Sequence, residues 1–146
     1  MTRWMMAPAI AALLLLTSCG RQPGPANGPL LVVGEKVSNS VGFYTHDGKR
    51  LGAAEAGTHP HEIVVAPDGR TAYVSDNGIL WMTDPGEGGN TISVIDLAQR
   101  KRTGVIDLGQ YRRPHGMDID AATGRMVATV ENPAGLVLLD LEQKKV

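Results

Sequence analysis

Two histidines set the chemical question in this sequence. His61 and His115 each follow a proline, Pro60 and Pro114, and each opens a matching stretch. The first runs His61-Glu62-Ile63-Val64-Val65-Ala66-Pro67-Asp68-Gly69-Arg70-Thr71-Ala72-Tyr73-Val74. The second runs His115-Gly116-Met117-Asp118-Ile119-Asp120-Ala121-Ala122-Thr123-Gly124-Arg125-Met126-Val127-Ala128. Imidazole ligates metals when neutral and exchanges protons near neutral pH. A repeated histidine therefore suits a metal, a haem or acid–base work. Repetition itself favours a structural role, bonding the backbone of the neighbouring repeat, because whatever belongs to the scaffold recurs with it. His59-Pro60-His61 adds an H-x-H pair, a weak metal pattern that makes His59, His61 and His115 the metal candidates. The run from His61 to Val65 is not the H-E-x-x-H pattern of zinc proteases, since Val65 stands where the second histidine must be. No P-loop, nucleophile elbow or G-x-G-x-x-G occurs, and no cofactor is expected.

A second group of unusual residues lies in loops. Asn77 to Asn90 is a Gly-rich stretch carrying Trp81, Met82, Asp84 and Glu87. An exposed aromatic in a long loop suits contact with a ligand or partner, and it equally suits capping of a sheet edge. Asp84 and Glu87 lack the dense oxygen spacing of a calcium loop. Tyr111, Arg112 and Arg113 precede the second Pro-His pair. The binding candidates are thus His61, His115, Tyr111, Arg113, Asn77, Trp81 and Met82. No catalytic residue is assigned.

The elements that must hold these residues are short strands. Each histidine stretch reads strand, turn, strand, with glycine in the turns Pro67-Asp68-Gly69 and Ala122-Thr123-Gly124 where a positive φ is needed. Asn90 to Leu97 alternates apolar and polar residues, as a half-buried strand does, and Ala134 to Leu141 repeats it. Asn39 to His46 is a weaker copy. Lys101 to Gly109 adds a fourth strand, echoed by Lys49 to Gly57. The unit is four strands, A to D. Blade one, about 30–57, has B (30–35), C (39–45) and D (49–56). Blade two, about 58–109, has A (62–66), B (71–76), C (91–96) and D (102–108). Blade three, about 110–146, has A (116–120), B (125–131) and C (135–141). Val33 and Val74 are 41 positions apart, near the period of a four-stranded blade, while Val74 and Thr129 are 55 apart because of the long B–C loop.

The run from Pro60 to Asn77, followed by Asn90 to Leu97, resembles the YVTN-type (YncE-like) β-propeller repeat, with Tyr73-Val74-Ser75-Asp76 at the place of the namesake tetrapeptide. The resemblance covers about residues 30 to 146. It implies an all-β propeller and leaves the activity open, because propellers host many functions. Blade one departs from the pattern: it lacks strand A and has Gly42 inside C. In such blades the D–A connections and B–C loops share one face. That face collects His59, His61, Tyr111, Arg112, Arg113, His115, Asn132 and the Asn77–Asn90 insert. Ten strands make about two and a half blades, whereas a ring takes 4–8. The chain is expected to be a fragment of a longer propeller, or several copies assemble into one ring.

The N-terminus carries its own message. Arg3 precedes an apolar run, Ala7 to Leu16, which is too short to span a bilayer and fits a secretory signal. Leu16-Thr17-Ser18-Cys19-Gly20 looks like a bacterial lipobox. The resemblance implies a signal peptide over 1–18 and a lipid on Cys19, which is the only cysteine. Residues 19–29 then form a Pro/Gly-rich tether. Gly20, in place of an aspartate, favours the outer membrane, facing the periplasm or the cell surface. The formal net charge of −1 and the short basic clusters argue against a nucleic-acid partner. The expected partners are the bilayer, through acylated Cys19, and an unknown protein or small molecule on the loop-rich face. Two functions remain open. One is a non-enzymatic binding or scaffold module. The other is a propeller enzyme, such as a lactonase, lyase or quinoprotein-like oxidoreductase, using the histidines; a truncated remnant is a third possibility. An enzyme should gather the histidines with a carboxylate in a concavity, and a scaffold should show them hydrogen-bonded.

Overall fold

The computed structural model describes residues 30–146. The expected signal peptide, Cys19 and the tether to Pro29 lie outside the described residues. The described chain is ten β-strands and one 3-10 turn, Lys36–Ser38. The strands are β1 (Leu30–Glu35), β2 (Ser40–Thr45), β3 (Arg50–Glu55), β4 (Pro60–Val65), β5 (Thr71–Asp76), β6 (Thr91–Asp96), β7 (Lys101–Asp107), β8 (Arg112–Asp120), β9 (Arg125–Asn132) and β10 (Ala134–Asp140). Among the described residues no helix is long and apolar enough to cross a membrane.

The strands form three antiparallel meanders: β1-β2-β3, β4-β5-β6-β7 and β8-β9-β10. This is an all-β partial propeller whose sheets do not close into a ring. Nine strands fall within two residues of the sequence expectation. β8 starts earlier, at Arg112, because its ladder continues through Arg112↔Asn132 and Pro114↔Val130. The register also corrects the repeat length. Ile63 pairs with Val74 and Met117 with Ala128, so the counterpart of Val74 is Ala128 and the spacing is 54.

Blades stack face to face, and the stacking makes the core. Val41, Phe43 and Ala54 of the first sheet pack on Ala72, Val74, Ile95 and Leu97 of the second. Ile92, Val94, Ile106 and Leu108 on the other face of the second sheet pack on Met126, Ala128, Val130, Val137 and Leu139 of the third. Each fully buried aliphatic side chain contributes about 1.5–3 kcal/mol. β6 is therefore not the half-buried strand its alternation suggests. Ile92, Ser93, Val94 and Ile95 are all buried, because blades cover both of its faces. β9 keeps one exposed face, and its burial alternates strictly up to Val130. The outward faces of the first and third sheets leave Leu31, Val33, Val127, Leu136 and Leu138 exposed.

One polar residue inside this stack links the blades. Asp76 ends β5 and is 1% exposed. Its carboxylate accepts from Gly57 N at 2.8 Å, Thr91 Oγ1 at 2.8 Å and Ser93 Oγ at 2.8 Å. Gly57 belongs to the D–A connection, so the bond ties the end of one blade to the start of the next. A Cβ on Gly57 would collide with the Asp76 carboxyl, which accounts for glycine there. Burial raises the Asp76 carboxyl above the usual aspartate value, and the hydroxyl and amide donors pull against it. The register makes Glu35 the blade-one counterpart, paired with Ser40 as Asp76 is with Thr91. Glu35 is one methylene longer, and Gly42 makes the room: a Cβ there would lie 2.5 Å from Glu35 Oε1. The glycine that breaks the repeat pattern of strand C thus answers a longer acid on strand B.

Candidate functional site

The two D–A connections are bent by the same device. His59 and Arg113 hold equivalent positions and both have left-handed backbone, φ 47° and 53°. Each is held there by a neighbouring loop. His59 N donates to Asn39 Oδ1 at 2.8 Å, and Arg113 N donates to Gly89 O at 2.7 Å. The turn delivers Pro60 and Pro114, both buried, into the innermost strands. Strands β4 and β8 then bulge at the same point, between Pro60 and Ile63 and between Pro114 and Met117. The backbone N–H groups freed in the bulges find hydroxyls: Glu62 N donates to Ser75 Oγ at 2.9 Å and Gly116 N to Thr129 Oγ1 at 2.8 Å.

The bulges aim the histidines at each other. The rings of His61 and His115, from consecutive blades, have centroids 3.8 Å apart and planes tilted by 42°. In a regular strand Glu62 would point to the opposite face from His61. The bulge re-aims it, and its Oε1 lies 3.5 Å from His61 Nδ1. Ligand atoms of His61, Glu62 and His115 all lie within 4.8 Å of one another.

His61 is electrostatically unusual. Its Nδ1 is buried from solvent and makes no hydrogen bond; the 3.5 Å approach of Glu62 is an ion-pair distance without hydrogen-bond geometry. Burial lowers its pKa below the usual histidine value, and nearby His115 and Lys36 add to the effect while Glu62 opposes it. Burial thus disfavours the protonated ring, and with it a charged pairing to Glu62.

The pair borders a cleft of about 250 Å³ lined by Lys36, His61, Asn77, Ile79, Met82, Arg113, His115 and Glu131. Three of these, Lys36, Asn77 and Glu131, are the same repeat position: the residue after Glu35, Asp76 and Val130, of which Asp76 and Val130 pair alike with Pro60 and Pro114. The repeat thus supplies a cation, an amide and a carboxylate around one opening. Arg113 Nη1 lies 3.5 Å from Glu131 Oε2, and its Nη2 donates to Gly86 O at 2.6 Å. Asn77 is buried and donates through Nδ2 to Pro114 O at 3.3 Å. A larger hollow of about 370 Å³ lies over Asp118–Asp120, Val127 and Leu138 on the outward face of the third sheet. It contains no histidine and is the flank of a blade rather than a built site.

The sequence candidates divide accordingly. His61, His115, Arg113, Asn77 and Met82 come together at the cleft. His59 turns away, its Nδ1 3.1 Å from Lys36 O, and is not in the ligand cluster. Tyr111 packs against the core between the second and third sheets. Trp81 is 65% exposed and Met82 97%. They sit on a turn closed by Trp81 N to Asp84 Oδ2 at 2.9 Å and Asp84 N to Trp81 O at 2.8 Å. Glu87 pairs with Arg112 at 3.4 Å, so both acids of the insert have partners in the protein. Sequence reasoning missed Glu62, Lys36, Ile79 and Glu131. Matching Lys36 and Glu131 to Asn77 through the repeat would have found two of them.

Comparison with known proteins agrees with the architecture. No family model and no curated protein matches the chain. Among solved structures it is similar to hydrazine synthase of Kuenenia stuttgartiensis, with TM-score 0.68, 24% identity over 80% of this chain and 32% of that one. It is also similar to the dihydro-heme d1 dehydrogenase NirN in complex with DHE, with TM-score 0.60, 19% identity, 80% of this chain and 22% of that one. Both are β-propeller proteins, and at these identities the likeness is one of fold. The chain spans about a third and about a fifth of their lengths.

Proposed function

We propose that this chain is part of an exported, lipid-anchored β-propeller of YVTN type. On this reading its loop-rich face binds a small acidic ligand in the cleft beside His61 and His115. The observation that carries the binding role is the unspent histidine pair. A scaffold histidine would be hydrogen-bonded, whereas His61 Nδ1 is buried without a partner and faces His115 across 3.8 Å between ring centres. The Arg113 charge is met by Glu131, which leaves Lys36 as the cation of the lining and favours an acidic group. A volume of about 250 Å³ lies just below the roughly 300–1,000 Å³ of drug-sized sites, which restricts the ligand to a small one.

The test is titration of the full-length, metal-free protein with inorganic phosphate, followed through the imidazole carbon–proton resonances. Saturable shifts confined to His61 and His115, weakened by Lys36→Ala, support the cleft. Equal, non-saturating drift of all four histidines defeats it. The anchor is tested separately by feeding cells an alkyne-tagged palmitate. Label on the protein that is abolished by Cys19→Ala supports lipidation; label retained in the variant, or absent from both, refutes it.

A second reading, an acid–base enzyme, is favoured by one specific observation. His61 lines the cleft, its pKa is lowered by burial and the Glu62 carboxylate stands 3.5 Å from its Nδ1, an arrangement that suits a general base.

A further inference from the structure

We infer that His61, Glu62 and His115 form a binding site for one divalent first-row transition ion, with an open coordination position facing the cleft. The inference rests on the reading of the cleft as the binding face and names what holds the ligand there.

The donor set suits such an ion. Two imidazoles and one carboxylate are the ligands of open zinc and ferrous sites, in which a water or substrate completes the shell. Ligand atoms on one tetrahedral zinc lie about 3.3 Å apart, given bonds of about 2.0–2.1 Å. The three groups stand within 4.8 Å, so rotation of surface side chains by about an ångström closes the set. Two of the three come from residues adjacent in the chain, and the bulge is what lets them share a side. The third comes from the next blade, so an ion there would also staple β4 to β8.

The geometry further explains an asymmetry in the repeat. Blade two has Glu62 after its histidine, and blade three has Gly116. A Cβ at Gly116 would meet only Thr129 Oγ1, at an ordinary 3.6 Å, so glycine is not needed for space. One acid and one glycine leave a single carboxylate between two imidazoles, giving a three-ligand site with room beside it. A purely structural Pro-His element would make the two positions interchangeable. His61 Nδ1 also lacks any other partner, and an ion would provide one.

The experiment uses the full-length chain in detergent, stripped with EDTA and titrated with Zn²⁺ by calorimetry, with Co²⁺ absorption as a second readout. The expected result is one Zn²⁺ per chain and visible Co²⁺ bands of a four- or five-coordinate site. His115→Ala and Glu62→Gln should each weaken Zn²⁺ binding at least about tenfold. His46→Ala, in an exposed turn, should leave it unchanged. Circular dichroism establishes that each variant is folded. Should a variant unfold, His115→Gln is used in its place. No stoichiometric Zn²⁺ binding, or binding unchanged by these variants, overturns the inference. If Zn²⁺ fails while phosphate still shifts His61 and His115, only the metal assignment falls. If both fail, the cleft reading falls with it.

Discussion

Glu35 offers a quantitative test of how blade one is held. Its carboxylate accepts from Ser40 Oγ at 2.6 Å, Tyr44 Oη at 2.7 Å and Arg50 Nη2 at 2.9 Å. These donors, Arg50 foremost, hold its pKa at about 2 instead of the ordinary 4.5. Moving a carboxyl that far corresponds to about 3 kcal/mol without screening. The Arg50 side chain is 50% exposed and that of Glu35 18%, so water screens the cluster and about 1–2 kcal/mol remains. The folded-state value lies below the unfolded one. The contribution is therefore fully present above about pH 4.5 and is lost as the pH falls toward 2. Glu35→Gln keeps the size and removes the charge. Urea denaturation of both proteins from pH 7 to pH 3 should show the variant about 1–2 kcal/mol less stable at pH 7, with the gap narrowing below pH 4.5. A gap that stays constant across this range would refute the electrostatic account and make Glu35 a matter of shape.

Two further outcomes follow from the same contacts. Asp76→Ala leaves the buried Ser93 hydroxyl without its acceptor and strips Gly57 N of its shorter bond, and should cost about 3 kcal/mol in urea denaturation. Ser93→Ala should cost less, and the double variant should fall short of the sum because the two share a bond. Arg113→Ala removes the 2.6 Å bond to Gly86 O and the cover over Gly88. It should speed proteolysis within the Asn77–Asn90 insert, near exposed Trp81 and Met82, while leaving the urea midpoint nearly unchanged.

The strands were legible in the sequence because alternation and turn glycines act locally. β5 runs Thr71–Asp76, as its apolar pattern and flanking turns indicate. Burial was legible only where one face meets solvent. β9 alternates as expected, but β6 is covered on both sides, and its polar Ser93 is spent on Asp76. That depends on blade stacking, which a single strand does not encode. The histidines were legible as a repeat, yet Glu62 was not legible as their companion. Strand periodicity puts neighbours on opposite faces, and only the bulge between Pro60 and Ile63 overrides it. Gly42, an interruption in sequence terms, becomes intelligible once Glu35 is seen to occupy the space above it.

The central claim is that the histidines of consecutive blades converge on one site. The most direct measurement is a nuclear Overhauser spectrum of the imidazole protons in the metal-free, full-length protein, assigned with single His→Gln variants. Rings whose centres lie 3.8 Å apart should give strong cross-peaks between His61 and His115 and none from either to His46. Sharp, assigned resonances for both rings in the folded protein, with no cross-peak between them, would contradict the account.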